Sequence, residues 1–293
     1  NDAQRLTMVR DVPYSFDFTV ENFMDPAHIP FAHHRLQGSR DDAIGIPMEI
    51  LTNIDNQTHC EVSFQDRTRK RKREGIVSFI SPIFYSLKLL NQESNDYHRP
   101  LYMFVVPVEI ARTRIFVSTK IPMSLLFKLF PTWFLHAATM KFINSDIWVY
   151  DQEKMIRNPL NRFWKNKSGS KLYNDALLGN RHIRHPHGNL NEGEEILPKY
   201  TLVTQSDRGC IAWRKWWKKH MSHSPIFGAS THVSDLTKTE LLDHYEFHTK
   251  DCQHCQKALK RAKLLRKINP VLSLAAIGFF KNIYVKHLGI LSY

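Results

Sequence analysis

From residue 44 to residue 120 the chain reads as one strand after another. Ile44 to Leu51, Cys60 to Phe64, Gly75 to Ile80, Leu101 to Val108 and Arg114 to Lys120 each carry strand-forming residues between polar breaks. Pro82 to Leu90 is mostly apolar, and its period does not choose between strand and helix. The longest helical candidate follows at residues 123–156, interrupted near Pro131 and ended by Asn158-Pro159. Several strands around one long helix imply an antiparallel sheet packed on a helix, an α+β arrangement.

The flanks are read more coarsely. In residues 10–24 the apolar side chains Tyr14, Phe16, Phe18 and Val20 alternate with polar ones, which reads as a strand leading into a helix or turn. Residues 157–200 are polar, His-rich and Gly-containing, as in a long surface loop. Trp213 to Met221 reads as a helix, and so does the charged stretch from Leu236. Thr249 to Cys255 is a break, Gln256 to Lys267 a strongly basic helix, and Val271 to Phe280 an apolar run. The tryptophans at 213, 216 and 217 belong to a core or an interfacial belt rather than to a cofactor stack.

Composition excludes several classes. The 293 residues are 42% apolar and 24% charged, which rules out disorder, collagen and coiled coil as the main state. Four scattered cysteines do not make a secreted disulfide scaffold. No uninterrupted apolar run of about 18 residues marks a complete membrane span. The net charge of +13 favours anionic partners, and the 16 histidines raise the prior for metal or proton chemistry. The basic run Arg67 to Arg73 reads as a solvated face rather than a nucleic-acid patch. The start at Asn1 and the stop at Tyr293 read as a fragment or a processed form.

The most informative segment runs from Glu21 to His34, Glu-Asn-Phe-Met-Asp-Pro-Ala-His-Ile-Pro-Phe-Ala-His-His. Asp25 and His28 share one face at helical spacing. On an ideal helix His33 sits about 140° from His28, but Pro30 bends the chain and lets both imidazoles converge. The alternative is a His-rich surface loop or cap, and spacing alone leaves the two even. His34 points elsewhere. Two neutral imidazoles and one carboxylate favour non-haem Fe(II) with open positions. Asp146, set among Ile143, Ile147 and Val149, is the best carboxylate, because a buried acid needs a partner. Its other reading is a helix cap or an Arg partner, and Asp151 is the fallback ligand.

Here the residues resemble a family. Asn22, then Asp-x-x-His-x-x-x-x-His over Asp25 to His33, is similar to the mononuclear-iron motif of Rieske non-haem iron oxygenases. The fuller wording looks most like the pheophorbide a oxygenase branch. The segments 101–117, 145–155, 204–217 and 247–259 resemble later blocks of that family in the same order. The resemblance implies a helix-grip fold (START/Bet v 1-like), a twisted antiparallel sheet wrapped on a long helix. It implies a catalytic domain over residues 1–250 and a CxxC segment with a basic, apolar C-terminal helix over 251–293. It assigns His28, His33 and Asp146 as Fe(II) ligands. Asp25 becomes the acid that links iron to the electron-donating cluster, with Asn22 in support.

The chain lacks the Cys-x-His and Cys-x-x-His pair that a Rieske [2Fe-2S] cluster needs. That cluster is expected on a missing N-terminal domain or on a partner subunit. The resemblance further implies a ferredoxin-like electron donor, a large hydrophobic tetrapyrrole substrate, a homotrimer, no nucleic-acid partner, and a chloroplast or thylakoid-type membrane surface. Cys252 and Cys255 read as a redox pair in preference to half of a zinc site, which His248 and His254 keep open. The competing functions are a non-catalytic carrier of hydrophobic ligands with the same fold and a Rieske oxygenase acting on a sterol-like substrate.

Overall fold

The computed structural model describes residues 5–68, 71–91, 96–109, 111–120, 130–157, 202, 204–227 and 233–268. The loop expected over 157–200, the apolar run Val271 to Phe280 and the start of the long helical candidate at 123–129 lie outside the described residues, Arg157 apart. Seven strands are described: β1 (Arg5–Val12), β2 (Met48–Ile50), β3 (His59–Thr68), β4 (Arg71–Ile80), β5 (Phe84–Asn91), β6 (Asp96–Glu109) and β7 (Arg112–Lys120). They form one sheet in the order β1-β7-β6-β5-β4-β3-β2, antiparallel throughout. From β2 to β7 each strand pairs with its neighbour in sequence, so short turns suffice. The ambiguous stretch Pro82 to Leu90 is mainly β5, and the described residues of the basic run lie at the end of β3 and the start of β4.

β1 closes the sheet on β7, with Arg5 opposite Lys120 and Val12 opposite Thr113. An ion cluster holds this edge. The Asp11 carboxylate accepts from Arg112 Nε at 2.8 Å and from Arg114 Nε at 2.6 Å. Burial alone would raise the Asp11 pKa, but Arg114 and Arg112 outweigh it and hold the acid below its ordinary value. Its stabilisation is therefore present above the unfolded pKa of about 4 and is lost as pH falls through the lower folded value. Urea midpoints of the native chain and of Asp11→Asn should differ at pH 7 and converge on acidification below about pH 4. A gap that stays constant would exclude this role.

The helices are α1 (Phe16–Phe23), α2 (Ile29–Ala32), α3 (Thr132–Asn144), α4 (Trp148–Arg157), α5 (Arg208–His220), α6 (Lys238–Leu241), α7 (His244–Phe247) and α8 over 253–268. Two expectations need correction. The alternating residues Phe16, Phe18 and Val20 lie in α1 rather than in a strand, because the polar residues between them are buried as well. The break expected at Thr249 to Cys255 is a single 3-10 turn, Thr249–Asp251, and the helix resumes at 253.

α1 and α5 pack on the sheet. Phe79 of β4 meets Trp213 edge-on at 4.8 Å and Phe16 at 5.8 Å. Trp213, Trp216 and Trp217 are at most 2% exposed, and their ring N–H groups donate to Asp17, Asn56 and Phe227 carbonyls, so all three are core. Under them lies a buried ion network. Asp17 accepts from Arg157 and Arg214 at 2.6 Å, Arg214 also donates to Glu21, and Arg157 pairs with Glu153 at 3.1 Å. It joins α1, α4 and α5. α8 is largely exposed, and no helix among the described residues is long and apolar enough to cross a membrane.

Candidate metal centre

The segment after α1 is shaped by two prolines and an aspartate. Tyr85 Oη donates to the Phe23 carbonyl at 2.8 Å and fixes the helix end. Asp25 precedes Pro26 and leaves the helical region, as residues before proline do. Its carboxylate accepts from Ala27 N at 2.8 Å and caps a 3-10 turn, Pro26–His28. Pro30 sits in the first turn of α2, where it needs no amide proton. His28 and His33 thus bracket α2, and their Nε2 atoms come within 3.3 Å of each other.

The tautomers follow from the other ring nitrogens. His28 Nδ1–H donates to the Asp25 carbonyl. His33 Nδ1–H donates to Ser145 Oγ at 2.7 Å, and that hydroxyl gives its own proton to the Phe142 carbonyl. Both Nε2 lone pairs therefore face the same point, which is repulsive unless a cation or proton lies between them. The ring of His33 also stacks on Phe142 at 3.7 Å.

Asp146 completes the set. It lies in the turn between α3 and α4, not within one continuous helix as the sequence suggests. Its Oδ1 is 3.5 Å from His33 Nε2 and 3.8 Å from His28 Nε2. Arg10, buried in β1, holds that turn by donating to the Met140 carbonyl and to Asn144 Oδ1, a cation at a helix C-terminus. Asp151 lies further along α4 and outside the donor group.

Three features test whether a metal ion fits. The Nε2–Nε2–Oδ1 triangle has edges of 3.3, 3.5 and 3.8 Å. The point equidistant from its corners lies about 2 Å from each, a metal–ligand bond length. Asp146 Oδ1 is buried and has no hydrogen-bond partner. Burial lifts the Asp146 carboxyl to about 6, against the opposing pull of His28, Asn22, Trp148 and Arg10, and burial, then His28, drives His33 down to about 3. These are the shifts of a donor set short of its cation, whose charge would reverse them. Two neutral imidazoles and one carboxylate on one side leave the opposite positions open.

The structure brings His28, His33 and Asp146 together. Asn22 is buried in the last turn of α1, beside Asp146, where its amide opposes the rise of that carboxyl. Asp25 is half-buried, and burial, slightly offset by Ala27 N–H, raises its carboxyl to about 7. Cys252 and Cys255 lie elsewhere, against His136 of α3. Burial and the Cys252 neighbour push the Cys255 thiol up to about 12. The sequence reading missed Ser145, which orients His33, and Trp148, whose buried indole N–H lies beside Asp146 and opposes the rise of its carboxyl. Ser145 carries a faint signal, a hydroxyl adjoining the candidate acid.

No family model matches the chain. Among curated proteins it is 24% identical over 289 residues to pheophorbide a oxygenase, chloroplastic, of Arabidopsis thaliana, covering 89% of this chain and 47% of that protein. The Oryza sativa subsp. japonica protein of the same name is 25% identical over 290 residues, covering 90% and 47%. The chain thus spans about half the length of the curated relatives it matches. Among solved structures, dicamba monooxygenase overlaps 58% of this chain and 53% of its own at a TM-score of 0.40 and 11% identity, too partial to extend to this chain. In sequence the chain is similar, over about nine tenths of its length, to the chloroplastic pheophorbide a oxygenases of both plants.

Proposed function

We propose that this chain is the catalytic part of an iron-dependent, Rieske-type oxygenase. The observation that carries the reading is the trio His28, His33 and Asp146, with both imidazoles oriented by a second contact and the carboxylate oxygen buried beside them. When bound, Fe(II) supplies dioxygen activation and the transfer of oxygen to a substrate. The chain's own residues would hold the ion, and the Asp25 carbonyl and Ser145 fix the tautomer and orientation of the two imidazoles. Half-buried Phe142 and Trp148 flank the donors and keep bulk water off one side. Asp25, on the same turn as His28, is the proposed electron route from a [2Fe-2S] cluster that another domain or subunit supplies, with Asn22 in support.

The substrate reading rests on the relatives, whose name specifies pheophorbide a. A large hydrophobic tetrapyrrole is therefore the proposed substrate, with a ferredoxin-like electron donor, a homotrimeric assembly and a plastid location. The antiparallel sheet that carries α1 and α5 on one face supports a helix-grip fold.

Iron counting tests the reading. The chain should take up one Fe(II) under anaerobic conditions. Outer partners of a metal ligand are worth about 10–100-fold in affinity, so Ser145→Ala should lose that much and Asp146→Ala or His33→Ala at least about 100-fold. Pheophorbide a should quench tryptophan fluorescence in the native chain and in Ser145→Ala alike. Iron uptake that is indifferent to all three substitutions would overturn the assignment.

A further inference from the structure

A second group of donors lies nearer the start of α3. His136 of α3, His248 just after α7, and Cys252 and Cys255 at the start of α8 each present one ligand atom, all within 4.8 Å of one another. His136 Nδ1 is 3.4 Å from Cys252 Sγ and 3.7 Å from Cys255 Sγ, and His248 Nε2 is 3.3 Å from Cys255 Sγ. A tetrahedral ion bonded to sulfur at about 2.3 Å and to nitrogen at about 2.0–2.1 Å holds those atoms roughly 3.5 Å apart.

The second contact of each ring fixes its tautomer. His136 Nε2–H donates to the Thr7 carbonyl at 3.1 Å, and His248 Nδ1–H donates to the Val9 carbonyl at 2.6 Å. Both lone pairs therefore point at the two sulfurs. A backbone carbonyl behind each imidazole is the usual support of a metal-bound histidine. Thr7 and Val9 are two residues apart on β1, so their carbonyls leave the same side of a strand that is the sheet's edge. Such an edge needs cover, and these two rings supply it. His136, His248 and Cys252 are buried, and Cys255 is half-buried. His254, a candidate from the sequence, is exposed and outside the donor group.

We propose that His136, His248, Cys252 and Cys255 bind one zinc ion in a closed tetrahedral site. Two thiolates and two neutral imidazoles balance the dication and fill all four positions, so the ion is structural and has no place for substrate. Thiolate donors separate this site from the harder donor set at His28, His33 and Asp146. The ion fastens the C-terminal segment to β1 and to α3, the helix whose far end carries Ser145 and Asp146. It does not depend on the oxygenase reading.

The test is metal analysis of the full chain grown with zinc, beside His28→Ala/His33→Ala, which empties the first donor set. One zinc per chain is expected in both, and it should be lost in Cys252→Ser/Cys255→Ser. Should the serine variant not fold, zinc-edge X-ray absorption on the first variant reads the site directly. Two sulfur ligands at about 2.3 Å and two nitrogens at about 2.0–2.1 Å support the proposal. Zinc absent from His28→Ala/His33→Ala, a shell of only nitrogen and oxygen, or a Cys252–Cys255 disulfide in protein prepared anaerobically would each overturn it.

Discussion

Asp17→Asn should destabilise the fold by about 3–5 kcal/mol, a large share of the roughly 5–15 kcal/mol that holds a domain together. The substitution keeps the side-chain volume, so no cavity is made. It removes the one charge that both Arg157 and Arg214 address at 2.6 Å, in a place where Asp17 and Arg157 are each 1% exposed. Leaving a buried guanidinium short of its counter-ion costs more than the pair itself contributes. Burial would raise the Asp17 pKa, but Arg157 and Arg214 prevail and hold it below the ordinary value, so Asp17 keeps its charge. Burial raises Glu21 and Glu153 against the opposing pull of Arg214 and Arg157. Urea unfolding of the two proteins checks the figure, and a loss below about 1 kcal/mol, the scale of a surface pair, would show that the network is not what joins the helices. The effect reaches the donors. α1 ends at the turn that carries Asp25 and His28, and α4 begins two residues after Asp146, so the network sets the distance between the two halves of the trio. Iron affinity should fall in Asp17→Asn even under conditions where the chain stays folded.

That network also explains what the sequence shows and hides. Five of the strands are legible because their apolar residues alternate over one buried face, as in β3, where Cys60, Val62 and Phe64 point inward. α1 is not, although its alternation is real: Asp17 and Glu21 face buried arginines instead of water, those arginines come from residues 157 and 214, and the buried Thr19 hydroxyl bonds back to the Ser15 carbonyl. A period of two then mimics a half-exposed strand. The His28–His33 pair is legible because it is local, with the bend supplied by prolines in the same segment. Asp146 stands out as an acid among apolar neighbours. Ser145 and Trp148 gain their roles only through contacts across the fold, and the turn at 145–147 has no glycine or proline to announce it. His136 sits in a helix that reads as ordinary, and only the return of the chain 112 residues later brings His248 to it.

Gly209→Ala should harm both the fold and the iron site, by at least about 3 kcal/mol in stability, the upper end for overpacking. A Cβ at position 209 would stand 2.0 Å from the Met24 carbonyl oxygen, 2.9 Å from Met48 Cε and 3.1 Å from the Met24 carbonyl carbon. The methionine tip can swing aside; the backbone oxygen cannot, so α5 must back away from the end of α1. Met24 immediately precedes Asp25, whose carboxylate caps the turn and whose carbonyl orients His28. A shift of a few tenths of an ångström there moves one imidazole relative to the other, and metal affinity is sensitive to displacements on that scale. Gly45→Ala is the matched control, because a Cβ there meets only Ser206 Oγ at 4.0 Å. Adding a methyl in open space restricts the unfolded chain and should leave stability unchanged or raise it by up to about 1 kcal/mol. Thermal unfolding and anaerobic Fe(II) titration of the two variants should diverge, with Gly209→Ala losing both properties and Gly45→Ala neither. Equal behaviour of the pair would mean that the close approach of α5 to Met24 does not hold the histidine segment in place.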